Sequence, residues 1–281
     1  MTLTEKIIYF FKHKIRRDYF FFNLRYRIQM ALLKRLHSPV RKQMKDPKKI
    51  PVIIISFNQL NYLKKLIDFL LEKGYTNIVI ADNASTYEPL LEYLDSISKD
   101  VKVLRLEKNY GHLVVWDQPE LFSNYTRGFY AVTDADIVPV KECPADFMLY
   151  FLQLINKHRR VNKVGFSLDT SIIPDTNTYR NNILNWESKY WKKQTEDGNF
   201  YADIDTTFAL YRPKNLNWTN MPFMNAVRTK PPYTAIHGGW IIDPTRLTKE
   251  QQFYMQTANE SSSWKVDESG RLSSKIYHNN D

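Results

Sequence analysis

The sequence predicts an α/β protein with a central sheet flanked by helices and a basic helical extension in front of it. Three observations predict this. Short β-branched runs alternate with helical periods between residues 51 and 106, polar residues collect where those runs end, and the excess charge is confined to the first fifty residues.

Pro51-Val52-Ile53-Ile54-Ile55 is too short for an isolated helix and reads as a buried parallel strand. Asn61 to Lys73 repeats Leu63, Leu66, Ile67 and Leu70 at helical spacing, and Gly74 ends it. Ile78-Val79-Ile80-Ala81 is a second strand, Pro89 to Ser98 a second helix, and Val101 to Leu106 a third strand. Strand-helix-strand-helix-strand is the pattern of a nucleotide-binding α/β half, whose ligands sit at the carboxyl ends of the strands. A fourth strand is predicted over Phe129 to Thr133, a helix from Pro144 to about Arg159, and a strand over Lys163 to Leu168. Further on, Trp186 to Lys193 reads as a short amphipathic helix and Thr206 to Tyr211 as a strand.

The chain of 281 residues is ample for one sizeable domain with an appendage. The lone Cys143 forms no internal disulfide, which fits a reducing compartment, and nothing around it suggests a nucleophile. Residues 1–50 carry 14 Lys and Arg against Glu5, Asp18 and Asp46, a net charge of +11, whereas the remainder carries −1. A basic nucleic-acid-binding body is thereby excluded, and the basic extension is expected to have a partner of its own. No apolar run approaches the roughly 18–20 residues needed to span a bilayer. Instead Leu3, Ile7, Phe10, Phe11 and Ile15 follow helical spacing among Lys and Arg. Such a helix suits an anionic membrane interface through residues 1–38, the alternatives being a helix docked on the body or a partly disordered arm. Lys45 to Lys49 reads as a linker, so residues 1–48 are expected to form the extension and 49–281 the domain, with the nucleotide-binding pattern at 49–140 and a second half at 141–281.

The strand ends carry the candidate chemistry: Ser56-Phe57-Asn58, Asp82-Asn83-Ala84-Ser85, and Asp134-Ala135-Asp136. Two carboxylates one residue apart, on a turn after a buried strand, converge readily on one Mg²⁺ or Mn²⁺, hard cations that bridge phosphate oxygens. A D-x-D tripeptide is common on solvated turns, and it is the position after two other polar strand ends that gives it weight. Neither G-x-G-x-x-G nor G-x-x-x-x-G-K-[ST] occurs.

The succession PVIIISFNQLNYLKKLIDFL, NIVIADNAS, NYG and VTDADIVP resembles the GT-A, Rossmann-like fold of family 2-type glycosyltransferases, over about residues 50 to 245. That fold has a mixed central sheet. The resemblance implies a hexosyltransferase-type enzyme that uses a nucleotide-sugar, by expectation a UDP-sugar. Ser56, Phe57, Asn58, Asp82 and Asn83 would line base and ribose, Asp134 and Ala135 would lie near the ribose, and Asp134 and Asp136 would serve the metal. Phe57 is equally readable as core, and Asn83 and Ser85 as turn or cap residues. His237, ahead of Gly238 and Gly239, is a further candidate metal ligand, as some GT-A enzymes use a late His, or else a hydrogen-bonded loop residue.

The second half departs from the commonest family pattern. It has neither the usual Glu-Asp pair that presents the base nor the Q-x-x-R-W segment of processive polymerases, which argues for a non-processive enzyme. The stretches DIDTTFALY and PPYTAIHGGW resemble those of bacterial transferases acting on surface polysaccharides, with a glycan or lipid-linked saccharide as acceptor. An inverting transferase needs a general base, for which Asp205, Glu187 and Asp203 are candidates, and a retaining mechanism stays open. The implied location is cytoplasmic, at the inner face of the cell membrane. The competing readings are a degenerate GT-A scaffold and a nucleotidyltransferase, and the latter lacks its phosphate loop after the first strand.

Overall fold

A computed structural model describes residues 3–213, 222–243 and 246–259, with side chains from Phe20 onward. They fall into two compact units divided between Asp46 and Pro47.

The first unit is a 34-residue helix, α1 (Leu3–Leu36), followed by α2 (Ser38–Lys45). Leu3, Ile7, Phe10, Phe11 and Ile15 lie on α1, with side chains outside the described residues. Among the described residues no helix is long and apolar enough to cross a membrane.

The second unit opens as predicted. β1 (Val52–Ser56), α3 (Asn61–Glu72), β2 (Ile78–Asp82), α4 (Glu88–Ile97) and β3 (Lys102–Arg105) follow in turn. Next come the short α5 (Val114–Asp117), β4 (Tyr130–Asp134), β5 (Ile137–Pro139), α6 (Phe147–Lys157) and β6 (Lys163–Leu168). Strands β1 to β4 are parallel in the order β3-β2-β1-β4, with Ser56 opposite Asp82 and Ile55 opposite Asp134. Their carboxyl ends therefore share one edge of the sheet.

The later elements depart from the predicted pattern. The helix is α7 (Arg180–Ser188), which ends where the amphipathic segment was expected to begin, and a 3₁₀ turn covers Lys189–Trp191. After β7 (Phe200–Tyr201), the predicted strand shrinks to β8 (Ala209–Tyr211), because Asp205 to Phe208 form bends, although the Phe208 carbonyl still accepts from the Phe166 amide of β6. β9 (Ala226–His237) and α8 (Lys249–Thr257) were not anticipated. Pro231 and Pro232 interrupt the apolar run of β9 and mask it in the sequence. β8 runs antiparallel to both β4 and β6, and β9 pairs parallel with β6 and antiparallel with β5 and β7, so the sheet is mixed.

Both faces of this sheet are covered, which is why β1 reads as a continuous apolar run. On one face Ile53, Ile55, Val79, Val115, Phe122 and Val132 pack together. Elsewhere in the core Phe147 of α6 sits among Tyr75, Phe166, Phe208, Phe151 and Phe69, at ring-centre distances of 4.6 to 6.2 Å. Phe147→Ala is expected to lower unfolding free energy by about 3–5 kcal/mol, through lost burial and the cavity left behind. A urea titration followed by circular dichroism checks this.

Candidate active site

A cavity of about 480 Å³ opens at the carboxyl ends of β1 and β4. Ile55, Phe57 and Asn83 line it, Asp134, Ala135 and Asp136 form its floor at the end of β4, and Trp186, Glu187, Tyr190, Asp205 and Arg228 contribute to its wall. His237 and Trp240 also border it. A second cavity of about 310 Å³, lined by Tyr62, Asp136, Glu250 and Tyr254 among others, adjoins it.

The floor is built by the ladder. The Ala135 amide donates to the carbonyl of Ile55 at 3.0 Å, continuing the β1–β4 pairing through the turn. The Asp136 carbonyl accepts from Gly238 at 2.8 Å, and Ile137 lies opposite His237. Two segments a hundred residues apart in sequence thus place His237 Nδ1 3.3 Å from Asp136 Oδ2. Glycine is required at 238, because a Cβ there would stand 2.5 Å from the Tyr62 ring. The His237 ring stacks on Trp240 at 5.1 Å, and its Nδ1 accepts from the Gly239 amide at 3.1 Å. Burial holds the imidazole pKa below its usual value despite the nearby Asp136 charge, so its neutral form is favoured.

Asp134 is anchored differently. Its Oδ2 accepts from Thr206 Oγ1 at 2.6 Å. Burial first, then the charge of Asp136 and to a smaller degree that of Asp205, push this carboxyl well above the ordinary range, while the Thr206 hydrogen bond opposes them. Clustered carboxylates of this kind are short of positive charge.

Asp136 Oδ2 and His237 Nδ1 both present lone pairs, which suits a divalent cation once Nδ1 gives up the Gly239 amide. At metal–ligand distances of roughly 2.0–2.1 Å, adjacent octahedral ligands stand about 3 Å apart, close to the Asp136–His237 spacing of 3.3 Å. Among the described residues no three His, Cys, Asp or Glu side chains assemble a complete metal site, so the protein offers this pair, with Asp134 beside it.

The nucleotide-side expectations separate into two groups. Phe57 and Asn83 face the cavity, and Phe57 also packs edge-on against Tyr254 at 6.4 Å. Asn83 additionally ties the end of β2 to the loop after β3, accepting from Tyr110 N and donating to the Gly111 carbonyl. Ser56, Asn58 and Asp82 are buried and do not line the cavity. Asn58 corrects the expectation of a ligand-facing side chain: its Oδ1 accepts from Thr86 N and Tyr87 N, and its Nδ2 donates to Thr257. Its φ of 50° suits this loop-fastening role, since Asn tolerates the left-handed region. Asp82 Oδ1 accepts from Ser85 N, whereas the buried Ser56 Oγ has no partner among the described residues.

The candidate bases also separate. Glu187 borders the cavity but is almost wholly buried in an ion pair with Arg228, at 3.0 Å. Arg228 lies 3.9 Å over the Tyr190 ring, and its Nε donates to the carbonyl of Asp203. Burial raises the Glu187 pKa and Arg228 opposes that rise. Asp203 is exposed and lies outside both cavities. Asp205 is exposed within the larger cavity, and its carbonyl accepts from Lys163 Nζ at 2.8 Å and Tyr211 Oη at 3.2 Å.

Sequence reading did not single out Arg228, Lys163 or Thr206. The available signal was a cation within or opening an apolar strand, which is rarely buried without a specific partner. Lys163 is fully buried, with its ammonium 3.7 Å from the Phe223 ring centre. Burial lowers its pKa to about 7, against the opposing charges of Asp205 and Asp203. Between about pH 7 and the ordinary lysine value of 10.5, the folded chain has lost a proton that the unfolded chain still holds. Stability from this group therefore rises with pH across that window. Lys163→Met is expected to flatten that rise, measured as melting temperature from pH 7 to 10.

The model of the family described as glycosyl transferase family 2 matches residues 52–217, more than half of the chain. The chain belongs to this family. The match spans β1 to β4 and the D-x-D turn, so the domain is a GT-A glycosyltransferase domain. Solved structures similar to it include the mannosyltransferase PcManGT from Pyrobaculum calidifontis in complex with GDP-Man and Mn²⁺, at 12% identity and TM-score 0.43, covering 73% of this chain and 59% of that one. Another is S. aureus TarS 1-349, at 13% identity and TM-score 0.43, covering 67% and 60%. A third is GalNAc-T7 with UDP, GalNAc and Mn²⁺, at 16% and TM-score 0.40, covering 66% and 43%. The chain thus spans less than two thirds of each of these structures. No curated protein matches the chain.

Proposed function

We propose that this glycosyltransferase moves one sugar from a UDP-sugar to a glycan or lipid-linked saccharide of a surface polysaccharide, with inversion and without processivity. The observation that carries the reading is the pair Asp136 Oδ2 and His237 Nδ1, 3.3 Å apart on the cavity floor. Asp136 and His237 would hold Mn²⁺ or Mg²⁺, with Asp134 beside them. The cation would offset the charge of the departing nucleoside diphosphate and take its remaining ligands from phosphate and water.

The protein's own groups do the rest. Phe57 and Asn83 flank the nucleotide at the β1 and β2 ends. Trp186 and Tyr190 offer aromatic faces to the acceptor sugar. Asp205 takes the proton of the attacking hydroxyl. It is the candidate acid that is both exposed in the cavity and fixed at its backbone, by Lys163 and Tyr211. Arg228 occupies Glu187, which makes Glu187 a wall residue that orients Arg228 and Tyr190. The net charge of +11 over residues 1–50 supports association of the extension with the anionic inner face of the cell membrane.

The test is turnover of a panel of nucleotide-sugars, read as nucleoside diphosphate release with and without Mn²⁺. Metal-stimulated release from a UDP-sugar supports the proposal. Absence of turnover together with absence of UDP binding in calorimetry favours a non-catalytic binding domain.

A further inference from the structure

Helix α1 carries a second apolar face that its own packing does not use. Phe20, Phe21, Leu24, Ile28, Leu32 and Leu36 are 44 to 79% exposed. At about 100° per residue, five of them advance by four residues and roughly 40° at each step, so they sweep an arc of about 160° over some 24 Å of helix. Phe21 falls inside that arc. The buried Tyr26 and Met30 lie on the opposite side. The helix therefore has one committed face and one open apolar face, the arrangement of a helix that lies along a boundary between two media.

Charge decides which medium. From Tyr19 to Lys45 there are seven Lys and Arg and no Asp or Glu. Arg25 and Arg35 stand among the exposed apolar side chains, and Arg27 and Lys34 border them along one edge. Long cationic side chains in those places can reach outward to anionic head groups while their stems stay with the apolar surface. A second copy of the helix would instead bring cations against cations, with no acidic residue on this stretch to form the interhelical pairs that specify a coiled coil.

We propose that this face, and not charge alone, holds the protein on an anionic lipid surface: α1 lies in the plane of the interface and inserts Phe20, Phe21, Leu24, Ile28, Leu32 and Leu36 between acyl chains. This rests on the membrane reading under Proposed function and adds the inserted face and its orientation.

The experiment uses the full chain with vesicles of phosphatidylcholine alone or with about one third phosphatidylglycerol. The expected result is co-sedimentation with the anionic vesicles, reduced about tenfold or more in the exposed-face variant Leu24→Gln/Ile28→Gln/Leu32→Gln. Nucleotide-sugar turnover on a water-soluble acceptor stays unchanged, because none of these residues belongs to the site. A polarity-sensitive dye on Ile28→Cys should shift to the blue on vesicles and be quenched by spin-labelled acyl chains, a readout independent of the triple variant's folding. Equal binding of wild type and triple variant, with no dye shift, overturns the inserted face while leaving electrostatic attachment intact. Failure of the wild type to bind any vesicle overturns both. A wild-type dimer that the triple variant converts to monomer, without vesicle binding, assigns the face to a second copy and overturns the proposal.

Discussion

Asp136→Ala is expected to lower the transfer rate by roughly three orders of magnitude. Its carboxylate is one of the two atoms that the fold brings to 3.3 Å, and what remains is His237 and an Asp134 carboxyl that is tied to Thr206 and held well above the ordinary range, a weak set for a hard cation against water. A metal that neutralises a leaving diphosphate contributes several kcal/mol to the transition state, and each roughly 1.4 kcal/mol is a tenfold change in rate. The backbone contacts of this residue survive the change: its carbonyl keeps the Gly238 amide, and Ile137 keeps its place opposite His237. The loss should therefore appear in Mn²⁺-dependent turnover and in calorimetric binding of UDP with Mn²⁺, with an almost unaltered melting temperature. His237→Ala should act in the same direction and less strongly, since the Asp134 and Asp136 pair remains. An Asp136→Ala protein that turns over at the normal rate would sink the metal role.

The contrast between the two halves of the domain explains what the sequence could tell. β1 to β4 are each built from contiguous residues, and their parallel pairing buries every position of β1 and β2, so a plain apolar run marks each one. The carboxyl-end residues are read directly from where those runs stop. The position of His237 depends on β9 pairing with β5, a contact across a hundred residues within a strand interrupted by two prolines. No local pattern reports that register. Asn58 shows the reverse case: at a strand end it looks like a ligand group, yet its partners Thr86, Tyr87 and Thr257 come from distant segments. The rest of the second half is governed by buried charges such as Arg228 and Lys163, whose partners are set by tertiary structure.

Asp205→Asn should reduce kcat by roughly a hundredfold to ten-thousandfold, the range for loss of a positioned general base. The donor KM is expected to stay within about a factor of three, because the change removes an interaction needed at the transition state and not in donor binding. Asparagine preserves the shape of the loop. The contacts that fix this residue use its backbone carbonyl, which accepts from Lys163 and Tyr211, and the next residue still reaches Asp134 through Thr206. The melting temperature should therefore hold. Glu187→Gln is the discriminating comparison. Glu187 and Arg228 form a buried ion pair, each side chain about 4% exposed, so neutralising one partner leaves an uncompensated guanidinium in a dry site. That change should cost about 3–5 kcal/mol of stability and affect turnover only as far as the wall around Tyr190 loosens. A reversal, with Glu187→Gln stable and inactive and Asp205→Asn active, would transfer the base role to Glu187 and require Arg228 to release it when acceptor binds.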